Sequence, residues 1–233
     1  FILKAGQTER FSLALAYGGN LSELRNTVKT VQQIYNANYQ FAVPPPLPEV
    51  SAETGDGFVR LSWSDASERG FDPVTYRNDF EGYRIYRATD PTFRDARIIT
   101  TGQGSPATGN GRPVAQFDLV NGIEGYSEVD VAGVKYYLGE ETGITHTWTD
   151  SSVTNGQSYF YAVTSYDFGP RVITAESDSF TFYPSENAIS VSLTPRGGLI
   201  LAPNVVVVRP EPKVAGFRRA AAEEIARVSG DGS

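Results

Sequence analysis

The sequence predicts a mainly β protein: a sandwich of short antiparallel strands carrying an inserted hairpin, with a strand-helix segment before it and a further strand after it. Two observations lead there. From Glu49 onward, short runs rich in Val, Ile, Thr, Tyr, Phe and Trp succeed one another with turn residues between them. Within them, YFYAVTSY at 159–166 places four aromatic rings in eight positions, the density with which two sheets fill the space between them.

The first element is a strand in ERFSLALAYGGN. Phe11, Leu13, Leu15 and Tyr17 alternate on one face, and Gly18-Gly19 stops the run. Asn20 then caps a helix, with Glu23 as the return half of a capping box. Leu21, Leu24, Val28, Val31, Ile34 and Tyr35 recur along it at helical spacing, a stripe that needs a surface to pack on. The helix ends near Asn38-Tyr39. VPPPLP at 43–48 reads as a polyproline connector, a stiff spacer between residues 1–42 and the strands that begin at residue 49.

The sandwich is expected over 49–194. Its strands fall on VSAET, FVRLSWS, FEGYRIYRATD, RIITT, ITHTWTD, QSYFYAVTSYD and ENAISVSLT. An insertion spans 101–143. It opens with the Gly-rich GQGSPATGNGRP and continues through QFDLV and VKYYLG, which read as one hairpin. Residues 195–233 then form a C-terminal unit, a strand in LILAPNVVVV leading into a short Ala-rich helix or tail.

Totals narrow the function classes. In 233 residues, 20 Lys and Arg stand against 27 Asp and Glu, a net charge of -7 and a pI near 4.8. Phosphate backbones and anionic lipid are therefore disfavoured partners, and nucleic acid is not expected. With no Cys, thiol catalysis, Cys-ligated zinc and disulfides are out of reach. No run approaches the roughly 18 apolar residues of a spanning helix, so membrane insertion is not expected. A first residue of Phe and the lack of any Met suggest a matured or excised segment of a longer product.

Several segments resemble the fibronectin type III domain in the variety common in bacterial proteins. Pro48–Glu53 with FVRLSWS resembles the A and B strands, including a B-strand tryptophan at Trp63. GYRIYR resembles the C strand, and THTWTDSSVTNGQSYFYAV the E strand, E–F turn and F strand. The resemblance implies an immunoglobulin-like sandwich with Trp63, Tyr83, Trp148, Val153, Tyr159 and Tyr161 in or beside its core. It also implies that Gly156 is the turn glycine and that the Tyr159 hydroxyl ties back to the turn backbone. It covers 49–100 and 144–194; the long B–C connection and the insertion have no counterpart in a minimal domain. The whole pattern is similar to segments of large secreted multidomain surface proteins of Gram-negative bacteria, which implies an extracellular or cell-surface location.

Candidate chemistry is thin. A Ser-His-Asp set would have to use His146, the single histidine, expected in a strand with Ile144 and Trp148 on its face. GDG at 55–57 and GNG at 109–111 lack the adjoining helix and Lys of a phosphate loop. Between Phe117 and Glu141 lie six acids and one Lys; Asp118, Glu128 and Asp130 are the calcium candidates, without a regular ligand spacing. Tyr126 and Tyr137 are the candidates for glycan contact. Tyr136 and Tyr137 must face opposite ways if VKYYLG is a strand.

The expectation is a non-catalytic structural or spacer module without a required cofactor. It would dock neighbouring domains or other copies through strand pairing. A carbohydrate- or calcium-binding adhesion module and a self-assembling surface filament subunit are the alternatives. The apolar strands RFSLALA and NVVVV lie outside the resemblance and need partners: each other, neighbouring modules, or other copies.

Overall fold

The computed structural model describes residues 13–36, 43–72, 77–96, 111–131, 134–173 and 179–213. The fold is mainly β, with several antiparallel sheets and one α-helix among the described residues. That helix, α1 (Leu21–Asn36), is capped as its sequence requires. Asn20 Oδ1 accepts from Glu23 N–H at 2.9 Å, and the Glu23 carboxylate accepts from Gly19 N–H at 2.8 Å. The strand expected at 11–17 is corrected for its described part. Residues 13–17 form no strand, and Leu13, Leu15 and Tyr17 are exposed. A strand needs a ladder partner, and this stretch has none among the described residues.

Two sheets organise the rest. The first contains β1 (Val50–Gly55), β2 (Phe58–Trp63) and β7 (Thr147–Asp150), in the order β1-β2-β7. β1 and β2 are joined by Asp56-Gly57, with Gly57 at φ 71°, a conformation that costs glycine little. The second contains β3 (Phe80–Ala88), β4 (Ala115–Asp118), β8 (Tyr159–Asp167) and β13 (Val205–Val208), in the order β13-β8-β3-β4. Val59, Leu61 and Trp63 from the first sheet share one buried cluster with Phe80, Tyr83, Ile85, Tyr159, Tyr161 and Val163 from the second. Trp148 and Val153 are half-buried against it.

Period two sends Phe160 and Ala162 to the other face of β8, and that face is buried as well. Tyr86, Ala88, Phe93, Ala96, Phe160, Ala162 and Val205 cluster there under β11 (Val191–Leu193) and β12 (Leu199–Leu201), a two-stranded hairpin. Beside it, Tyr136, Leu138 and Tyr166 cluster under the hairpin of β5 (Gly125–Val131) and β6 (Val134–Gly139). A further small hairpin pairs β9 (Arg171–Ile173) with β10 (Ser179–Thr181).

Four expectations change. QFDLV and VKYYLG do not pair with each other: β4 joins the main sheet against β3, whereas β6 pairs with β5. The partner of VKYYLG was missed because GYSEVDV carries Glu128 and Asp130 in place of an apolar run. LILAPNVVVV is two strands, β12 and β13, because Pro203 has no N–H to continue a ladder. NVVVV takes none of the three partners weighed for it; it pairs with β8 of the same chain, with Val205 opposite Ala162 and Val208 opposite Tyr159. The stiff-spacer reading of 43–48 is corrected too. The Pro46 carbonyl accepts from Ser67 Oγ at 2.6 Å and Ser165 Oγ at 3.2 Å, and the Pro45 carbonyl accepts from Asn187 Nδ2 at 2.6 Å. The segment is sewn onto the sheets. RIITT, most of the Gly-rich stretch and the C-terminal helix lie outside the described residues.

Candidate functional site

The densest polar constellation lies on the outward face of the β13-β8-β3-β4 sheet, and its residues are drawn from five segments. Arg84 on β3 is almost wholly buried, with its guanidinium carbon 4.2 Å from the Tyr136 ring centroid and 5.0 Å from that of Tyr166. Glu186, in the segment after β10, pairs with Arg84 at 3.3 Å. Its carboxylate also accepts from Tyr86 Oη at 2.7 Å, Tyr136 Oη at 2.8 Å and Thr164 Oγ1 at 2.7 Å. Arg84 donates further to Gln116 Oε1 at 3.3 Å and to the Tyr137 carbonyl. Gln116 Nε2 in turn reaches the Leu138 carbonyl at 2.9 Å and Tyr166 Oη at 2.8 Å. Taking an ion pair out of water is expensive unless remaining donors and acceptors are met. Here they are met by hydroxyls, a side-chain amide and a backbone carbonyl, and the β5–β6 hairpin is thereby fixed to the sheet.

Sequence reasoning missed this centre. GYRIYR does carry a signal: Arg84 and Tyr86 alternate with Tyr83 and Ile85, so two polar-tipped side chains share the face opposite the core. That the face would be covered depends on contacts remote in sequence.

A second constellation gathers carboxylates where β3 begins and β8 ends. Glu81, Asp118, Asp79 and Asp167 are all buried. Burial, helped by the neighbouring Asp118 and Glu141 carboxylates, raises the Glu81 pKa to about 7 against a hydrogen bond from Asn121. Its Oε2 accepts from Asn121 Nδ2 at 3.0 Å, and its Oε1 has no hydrogen-bond partner among the described residues. Asp167 is likewise raised to about 7, chiefly by burial and also by Asp79. Ser185 N–H, at 2.8 Å, and Gly169 N–H, at 3.1 Å, oppose that rise. Beside this pole a cavity of about 120 Å³ is lined by Val43–Pro46, Gly70–Asp72, Asp79 and Phe80.

The calcium candidates do not converge. Asp118 is buried, and its oxygens accept from Glu141 N–H at 2.5 Å, Thr142 N–H at 3.1 Å and Thr142 Oγ1 at 2.5 Å. Glu128 points from β5 into solvent, and the Asp130 side chain lies outside the described set. Among the described residues no group of three acids or histidines is placed to hold a metal.

His146 precedes β7 instead of lying within it. Its Nε2 is 2.5 Å from Glu68 Oε1, which also accepts from Tyr83 Oη at 3.0 Å. Asp150 is held by Arg87 at 2.7 Å, Tyr161 Oη at 2.7 Å and Ser152 N–H at 2.8 Å. Burial pushes its carboxyl up, but these hydrogen bonds outweigh it and hold the pKa below the ordinary range. Thr154 N–H donates to Tyr159 Oη at 2.9 Å across the turn.

The glycan candidates lie on the inserted hairpin. Tyr126 is 65% exposed and Tyr137 half-buried; their centroids are 5.3 Å apart at 62°. Tyr136 is buried on the other face. Tyr137 Oη donates to Glu140 at 2.5 Å, and that bond, more than burial, pushes its pKa up to about 12. No family model matches the chain, and no curated protein matches it.

Proposed function

We propose that this chain is a non-catalytic structural module, an extracellular or cell-surface fibronectin type III-like sandwich that spaces and docks its neighbours. β1, β2 and β7 fall on the segments that resemble the A, B and E strands, β3 and β8 on those that resemble C and F. β4 and β13 extend the second sheet at its two edges. Convergent polar groups engage one another, His146 with Glu68 and Asp150 with Arg87, in keeping with a scaffold.

The observation that carries the reading is how the chain threads the body. Val50 N–H donates to the Pro203 carbonyl at 3.0 Å, bringing the starts of β1 and β13 together. At the far end, Gly57 N–H donates to Asn155 Oδ1 at 2.9 Å and Gly156 N–H to the Pro210 carbonyl at 2.8 Å. β1 and β13, the first and last strands among the described residues, therefore run side by side in one direction, so that the sheets are entered at one pole and left at the opposite one. Six-residue strands separate the poles by roughly 20 Å. A module threaded this way transmits tension along its length, as a spacer must.

Single-molecule pulling on the full chain through handles at Phe1 and Ser233 tests it. Shearing β1 and β13 together predicts one cooperative rupture that frees roughly 500 Å of chain. Peeling in a series of small steps, with no such rupture, overturns the spacer reading.

A further inference from the structure

The inward row of the β5–β6 hairpin is consumed by the sheet below it, but its outward row is not. Residues Tyr126 and Glu128 on β5 and Lys135 and Tyr137 on β6 share that outward face, because Ser127, Tyr136 and Leu138 between them are buried. Tyr126 presents most of its ring to solvent, edge-on to Tyr137, and the Tyr137 hydroxyl is anchored on exposed Glu140. Two electron-rich rings thus stand beside carboxylates, with one lysine on the same face.

The interior of the same protein shows what such a set holds. The Arg84 guanidinium lies 4.2 Å from the Tyr136 ring centroid and 5.0 Å from that of Tyr166, the two rings being neighbours 5.6 Å apart, and the Glu186 carboxylate pairs with it at 3.3 Å. Tyrosine faces attract a guanidinium through the ring quadrupole, and a carboxylate completes its hydrogen bonding. The outward face repeats the tyrosines and carboxylates, and among the described residues no guanidinium is seated on those rings.

We propose that the outward face of the inserted hairpin is a docking surface for an arginine side chain of a basic protein segment, seated against Tyr126 and Tyr137 and paired with Glu140 and Glu128. Charge complementarity favours this occupant, since the face is acidic on a chain of net charge -7. The ring geometry favours it over a sugar: rings inclined at 62° offer no continuous flat platform for a pyranose. The surface lies on the β5–β6 hairpin and not on β1 or β13, so it stands whether or not the module serves as a spacer.

The test titrates the full chain with the peptide Gly-Arg-Gly-Arg-Gly, with its citrulline counterpart, and with cellohexaose, tracking NMR shifts of selectively labelled tyrosines. Binding of the arginine peptide is expected at about 20 mM salt, weakening at about 300 mM. The citrulline peptide, which keeps the shape without the charge, should bind at least about threefold more weakly. Tyr126→Ala, which alters no charge, and Glu140→Gln should each weaken arginine-peptide binding by about three- to tenfold while circular dichroism stays unchanged. The proposal is overturned by no peptide binding, by equal affinity for the citrulline peptide, or by Tyr126→Ala binding like the parent, which would mean a general attraction to an acidic chain. Cellohexaose binding lost on Tyr126→Ala, without peptide binding, would make the face a glycan platform instead.

Discussion

Raising the pH from 5 to 8 should destabilise this protein, and the buried carboxyls at the pole of the large sheet say by how much. Glu81 and Asp167 both titrate near 7 in the folded chain because burial disfavours their charged forms. In the unfolded chain they titrate near 4, so the native state binds their protons more tightly. Each therefore contributes stability that is complete below about pH 4 and is lost as the pH climbs through 7. For Glu81 the two values differ by roughly 2.5 pH units, at about 1.4 kcal/mol each, a ceiling of about 3.5 kcal/mol. For a chain of this size that corresponds to a fall in Tm of at most about 7–14 °C. Urea or thermal unfolding at pH 5, 6, 7 and 8 measures the slope, and Glu81→Gln isolates its source. The amide still accepts from Asn121 but carries no charge, so the variant should match the parent near pH 5 and exceed it at pH 8. A stability that rises between pH 5 and 8, or a glutamine variant with the parent's slope, refutes the reasoning.

Other contacts predict three further outcomes. Arg84→Met removes the buried cation and leaves Glu186 uncompensated among hydroxyls, which should cost about 3–5 kcal/mol in urea unfolding. Tyr159→Phe deletes the acceptor for Thr154 N–H and should cost about 1 kcal/mol by the same measurement. Asn187→Ala strips the Pro45 carbonyl of its donor and Ser165 N–H of its acceptor, costing about 1–3 kcal/mol. In that variant, hydrogen exchange should rise first at Val43, whose N–H bonds Asp72 at 2.9 Å.

What the sequence revealed was local. Period two was enough to send Tyr159, Tyr161 and Val163 one way and Phe160 and Ala162 the other, and both faces carry a cluster. The Asn20 cap and the opposed faces of Tyr136 and Tyr137 were readable for the same reason. What stayed hidden was pairing at long range. Nothing in NVVVV distinguishes the edge beside β8 from an edge on another chain, because valines satisfy either equally. The prolines at 43–48 read as a spacer because a backbone without N–H groups looks unattached, yet its carbonyls found donors on Ser67, Ser165 and Asn187. The Arg84–Glu186 centre was illegible because its members are about 100 residues apart.

Of its two rows of side chains, the inserted hairpin grips the body with one, helped by the Tyr137 and Leu138 carbonyls. Arg84 fixes Tyr136, and a one-residue slip would trade that ring for its neighbour and break the grip. The opposite row answers to no such constraint. Mutation can therefore rewrite Tyr126, Glu128 and Tyr137 without unseating the hairpin, much as a tool holder accepts new bits while its chuck stays clamped. A lineage could change what this surface recognises at little risk to folding.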